Sequence, residues 1–262
     1  MFSKILYINL ERRPDRKNNI EDQLRKIDNK IKVERINAID AKKLDIASLS
    51  NKIISKNGIN AALDNKKGLY TILTKGAVGC ALSHKLAWEK ILNGPDERVL
   101  ILEDDIWFDS DYNNKLVDIM KNIDNYDILF LGAHKYTPSK ELKYFDVPNI
   151  LYGLFGYVIN KKAARILLSL FPITEQIDTE MSRVFDKLKV RTVKYNHMED
   201  DRIILSDLSQ ESYTFGTDIQ HRDYFPNTNN KSCNMILFLI VFIIIIFGLY
   251  LRNIKKNELI TN

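Results

Sequence analysis

Cysteine is nearly missing from this chain. Cys80 and Cys233 are the two among 262 residues, in no CxxC pair and at no metal-ligand spacing. That excludes a disulfide framework, and Cys80, inside an apolar helical pattern, reads as a small buried hydrophobe. Glycine (10) and proline (6) are also sparse. No GxxxxGK[ST] and no GxGxxG occurs, which removes the P-loop and the dinucleotide fingerprint. A phosphate clamp here has to come from arginine and metal, not from a glycine cradle. The net charge of +5 is spread thinly. No basic run is dense enough to follow a nucleic-acid backbone, so no nucleic acid is expected as a partner. The opening "MFSKILYINLERR" has too short an apolar stretch, and no basic lead or small-residue cleavage site, for a signal peptide.

Hydrophobic residues make up 45% of the chain, enough for a packed core. Residues 1–222 read as one domain, 223–234 as an Asn-rich linker and 252–262 as a basic tail. Between linker and tail, Met235 to Leu251 ("MILFLIVFIIIIFGLYL") is an apolar run of about 17 residues, the lower end of a bilayer span. It carries no polar stripe, and Arg252, Lys255 and Lys256 follow it. The expectation is a single-pass C-terminal membrane anchor. The positive-inside rule puts the tail in the cytosol, whereas tail insertion leaves the main domain there, so the side of the membrane stays open.

Within 1–222, strand-like runs at 4–10, 31–36, 98–102, 126–134, 151–160 and 190–196 alternate with helical patterns. The clearest helix spans "KGAVGCALSHKLAWEKILNG", stopped by Asn93-Gly94-Pro95. Such alternation predicts an α/β domain with a mostly parallel sheet. Ligands of such sheets lie beyond the carboxyl ends of strands.

One strand ends in an unusual way. In "VLILEDDIWFD" an apolar run meets Glu103, Asp104 and Asp105. Continued strand alternation would set Glu103 and Asp105 on one face and Asp104 on the other. Two like charges on one face call for a cation, and oxygen ligands suit Mn²⁺ or Mg²⁺. A second strand runs into "NLERRPDR", whose Arg12, Arg13 and Arg16 suit phosphate oxygens. By spacing alone, His84 reads as a core histidine, one turn from Cys80 and Trp88.

Taken in order, "YINLERRPDR", "RINAID", "LTKGAVGCALSHKLAWEKIL", "VLILEDDIWFD", "YDILFLG", "LFGYVINKKAARILL" and "IDTEM" resemble glycosyltransferase family 25, over residues 4–220. That family holds lipooligosaccharide (lipopolysaccharide-biosynthesis) glycosyltransferases and procollagen galactosyltransferases. The resemblance implies a GT-A-like nucleotide-diphospho-sugar transferase fold. It also implies inverting, metal-assisted transfer of galactose or glucose from a UDP-hexose. The acceptor would be a hydroxyl on a glycan, a lipid-linked sugar or a hydroxylysine-containing protein. It places Glu103 and Asp105 at Mn²⁺ or Mg²⁺. Asn9, Arg12, Arg13, Arg16, Ser83 and Asp104 fall to the donor side, and Asp178 and His84 to catalysis, Asp178 as general base. The closing segment departs from the family, with Ser206 where proline is expected and Thr217-Asp218 in place of Ser-Asp. Two other readings therefore stay open: a nucleotide-sugar or glycan binder without turnover, and a tail-anchored scaffold.

Overall fold

Apolar runs with no polar alternation bury both faces of a strand, and the strands here do so. In β1 (Lys4–Asn9) all six residues are buried. Leu6 and Ile8 face one core, Ile5 and Tyr7 the other. In β3 (Arg98–Glu103), Val99 and Ile101 join the first core, Leu100 and Leu102 the second. The computed structural model describes residues 2–27, 30–64, 73–193 and 205–207.

The remaining elements follow in chain order. They are α1 (Pro14–Leu24), β2 (Lys32–Asn37), α2 (Lys56–Leu63), α3 (Lys75–Asn93), β4 (Ile106–Phe108) and α4 (Tyr112–Asn122). After them come β5 (Ile128–Phe130), β6 (Lys135–Glu141), β7 (Phe145–Tyr152), β8 (Gly156–Asn160), α5 (Lys161–Leu168), α6 (Ile177–Ser182), β9 (Val190–Val193) and β10 (Leu205–Asp207). Eight strands form one sheet in the order β2-β1-β3-β8-β5-β9-β7-β6. The first core, with Trp88, Ala87 and Ile91 of α3 and Ala163 and Leu167 of α5, covers one face. The second, with Ile20 of α1 and Phe108 and Tyr112, covers the other.

The expected mostly parallel sheet is not found; the sheet is mixed. β1 pairs parallel with β2 and β3, and β5 with β9. β8, however, lies antiparallel between β3 and β5, and β7 antiparallel to both β6 and β9. The reason is local. The run read as one strand over 151–160 is two, β7 and β8, broken at Gly153, whose φ is +96°. Apolar content reports burial but not strand direction, which explains why the break and the reversal escape a pattern reading. Strand β6 and the antiparallel pair β4–β10 were not expected either.

Helix α3 forms as its sequence predicts. Thr74 Oγ1 accepts the Ala77 N–H at the start, and Gly94 closes the end. Gly79 permits a close approach, since a Cβ there would sit 2.8 Å from the Ile39 oxygen. Among the described residues no helix is long and apolar enough to cross a membrane. The anchor expected over 235–251, its linker, its tail and Thr217-Asp218 lie outside the described residues.

Gly153→Ala should destabilise the domain by about 1–2 kcal/mol from the positive φ alone. The added Cβ would also meet His134 Cδ2 at 2.6 Å. Urea unfolding measures the loss; an unchanged midpoint would show that the 153–155 turn tolerates an L side chain.

Candidate active site

The carboxyl ends of β1 and β3 and the start of β8 meet at one edge of the sheet. β3 stops at Glu103, and residues 104–105 form a turn. Strand alternation therefore ends there, which corrects the expected opposition of Asp104 and Asp105 and the expected sharing of one strand face by Glu103 and Asp105. Both reach the same nitrogen: Arg16 Nη1 lies 3.2 Å from Asp104 Oδ1 and 3.0 Å from Asp105 Oδ2. All three side chains are less than a tenth exposed. Asn9, at the end of β1, donates to Asp104 Oδ2 at 2.6 Å and to the Arg13 oxygen, and accepts from Arg35 Nε. Burial pushes the Asp104 carboxyl up, against the pull of Arg16 and the Asn9 hydrogen bond.

Glu103 faces the α3 side. Its Oε1 lies 3.2 Å from His84 Nε2, and its N–H donates to the Phe155 oxygen. Its side chain is 23% exposed. His84 is buried, with Nδ1 bonded to the Tyr157 hydroxyl. One turn before it, Cys80 is a free, half-buried thiol pushed well up by burial, then by the charges of Glu103, Asp178 and Asp105. The ligand atoms of Cys80, His84 and Glu103 all lie within 4.8 Å of one another. Spacing did not single out this trio, because Glu103 comes from another element.

Asp178, near the start of α6, is drawn to the same place. Its Oδ2 accepts the Gly153 N–H at 3.2 Å, its Oδ1 the Thr179 N–H at 2.7 Å. Burial pushes its carboxyl up; these two N–H groups oppose the shift, and Glu103 adds to it. An ionised carboxylate biased toward protonation is a better proton acceptor than a solvated one.

The other expected donor-side residues make bonds within the protein. Ser83 Oγ donates to the Gly79 oxygen and accepts the Ile39 N–H, tying the chain after β2 to α3. Arg12 pairs with Asp40 and Arg13 with Asp15. Arg16 lies beneath the aspartates.

Residues 2–151 match the pattern of glycosyltransferase family 25 (LPS biosynthesis protein). The chain belongs to glycosyltransferase family 25. Among its curated relatives, human inactive glycosyltransferase 25 family member 3 is 28% identical over 197 residues, 71% of this chain and 32% of the relative. Human procollagen galactosyltransferase 2 is 28% identical over 193 residues, 68% of this chain and 29% of that protein. The chain thus spans about a third of the length of these relatives. The solved glycosyltransferase GlyE of Streptococcus pneumoniae TIGR4 is similar at 9% identity and a TM-score of 0.40, over 73% of this chain and 45% of that one.

Arg16→Leu should cost about 3–5 kcal/mol at neutral pH, because it removes the guanidinium that two buried aspartates contact. In the folded variant those carboxyls bind protons more tightly than in the unfolded chain, so the loss should shrink as the pH falls toward about 4–5. Urea unfolding across that range tests it; a pH-independent loss would assign the effect to packing alone.

Proposed function

We propose that this family 25 member is a GT-A-like hexosyltransferase that moves galactose or glucose from a UDP-sugar to a hydroxyl acceptor with inversion. The carrying observation is the gathering of carboxyl groups at the sheet edge. Glu103, Asp104, Asp105 and Asp178 meet there, and Arg16 is in contact with two of them. Such a gathering suits a divalent ion, and the carboxylate oxygens of Glu103 and Asp105 suit Mn²⁺ or Mg²⁺. Glu103 Oε2 takes no hydrogen bond among the described residues, which leaves it available. When bound, such an ion supplies positive charge to the diphosphate of the departing UDP.

In this reading Asp178 takes the proton of the acceptor hydroxyl while that oxygen forms its bond to the anomeric carbon and the bond to UDP breaks. Gly153 and Thr179 hold both Asp178 oxygens in place. Asn9, Arg16, Ser83 and Asp104 fix the frame behind the donor, while Arg12 and Arg13 line its rim. The acceptor class is a glycan, a lipid-linked sugar or a hydroxylysine-containing protein. Human procollagen galactosyltransferase 2 supports the galactosyl and protein-acceptor choice. Attachment to a membrane through 235–251 belongs to the same proposal; a chain ending at residue 234 should lose membrane sedimentation.

A second reading is a binder without turnover. It is favoured by the relative named as inactive. UDP release from UDP-galactose and UDP-glucose, with and without Mn²⁺, separates the two. The enzyme reading expects Mn²⁺-dependent release and a β-linked product by NMR from an α-linked donor. Thermal stabilisation by UDP plus Mn²⁺ without release would favour the binder.

Asp178→Asn should lower turnover by about 10²–10⁴-fold, the usual contribution of a general base. Its fold should be retained with a small change of unfolding midpoint, because the removal of a buried charge is offset by the loss of one acceptor: the amide keeps a single oxygen for the Gly153 and Thr179 N–H groups. Asp105→Asn should abolish metal-dependent release with the fold retained. Undiminished transfer by either variant would remove that residue from the scheme.

A further inference from the structure

We propose that His84 is a positioning residue: Trp88 and Tyr157 hold its ring as the Nε2–H tautomer, and that proton fixes the Glu103 carboxylate. The inference rests on the metal-assisted reading of the site. Three hydrogen bonds run in series. Trp88 Nε1 lies 2.9 Å from Tyr157 Oη, Tyr157 Oη 2.8 Å from His84 Nδ1, and His84 Nε2 3.2 Å from Glu103 Oε1.

The two ends set the direction of everything between them. An indole N–H only donates, and an ionised carboxylate only accepts. Glu103 accepts, so Nε2 carries a proton. Trp88 donates, so the Tyr157 oxygen accepts there and its own O–H goes elsewhere. Among the described residues the remaining partner of that hydroxyl is Nδ1, which therefore offers a lone pair. The opposite tautomer would set lone pairs against each other at 3.2 Å. A doubly protonated ring would leave the phenol proton without an acceptor in the core, where an unmade hydrogen bond is costly. Burial pushes the Tyr157 hydroxyl well up, so it keeps the proton that the series requires.

Bond direction also decides a question that distance leaves open. Cys80, His84 and Glu103 are close enough to suggest a site for a soft divalent ion. A metal-bound imidazole nitrogen must present a lone pair. The lone pair of His84 is on Nδ1 and faces Tyr157, so the ring stands behind Glu103 instead of beside it as a ligand. Glu103 is thus anchored through Oε1 while Oε2 stays available, the arrangement by which an outer partner aims a ligand.

The test uses the full chain with ¹⁵N-labelled histidine and long-range ¹H–¹⁵N spectra, His84 being assigned by the signals lost in His84→Gln. The expected wild-type pattern is the Nε2–H tautomer, relaxing to a mixture in Tyr157→Phe. Mn²⁺ alone is then titrated and followed by the EPR signal of the free ion. His84→Leu should weaken Mn²⁺ about 10–100-fold, the usual cost of losing an outer partner. His84→Gln, which keeps an N–H for Glu103, should restore most of that loss. An Nδ1–H wild-type ring overturns the proposal, as do equal losses in the Leu and Gln variants. Zn²⁺ that removes the Nε2 proton also overturns it, by returning His84 to the ligand set. If the wild type binds no Mn²⁺, the metal reading fails, and the wild-type tautomer still decides the relay.

Discussion

Arg16 lies between Asp104 and Asp105 with under a tenth of its side chain exposed, and the edge of the sheet is organised around that contact. Taking three charges out of water is expensive, and their mutual attraction offsets it only with good geometry and further hydrogen bonds. Asn9 supplies one such bond to Asp104. The contact joins the helix after β1 to the turn after β3, so two elements distant in sequence are fixed at the point where chemistry is expected. It also sets the charge left over. Arg16 answers two aspartates, and Glu103 stands outside that pairing.

Glu103 is held from the other face. The sheet has a core on each side, and the α1 side carries the arginine while the α3 side carries the Trp88–Tyr157–His84 series. The reversed strand β8 makes this possible. It pairs with β3 so that Tyr157 lies opposite Ile101 and in the same core as Trp88. The turn before β8 supplies the Phe155 oxygen to Glu103 and the Gly153 N–H to Asp178. One antiparallel insertion thus supports both the acidic strand end and the candidate base.

The fold was legible where burial and capping speak locally. Continuous apolar runs marked β1 and β3 as interior strands, and Asn93-Gly94-Pro95 marked the end of α3. Strand direction was not legible, because a run buried on both faces reads the same either way; β8 and the break at Gly153 were missed for that reason. At the site, residue types indicated a charged centre but not which charges point inward. Arg16 and Arg12 stand in one motif, yet Arg16 is buried under two aspartates and Arg12 is paired with Asp40 nearer the surface. Ser83 and His84 are neighbours on α3, yet one ties down the chain after β2 and the other braces Glu103. These assignments depend on contacts between elements, which no spacing encodes.

The matched stretch, residues 2–151, contains Asn9, Arg16, His84, Glu103, Asp104 and Asp105 but neither Tyr157 nor Asp178. Family membership therefore speaks to the frame and to the acidic strand end. Asp178 has to be judged on its surroundings. Two backbone N–H groups hold its oxygens, burial raises its proton affinity, and the Gly153 turn that binds it exists because a positive φ is available there. Binding a charged donor needs only the frame and a cation, whereas moving a proton needs a carboxylate in the right protonation state at the right atom. In the proposed scheme that requirement falls on Asp178, and the turn at Gly153 is the backbone feature that holds one of its oxygens.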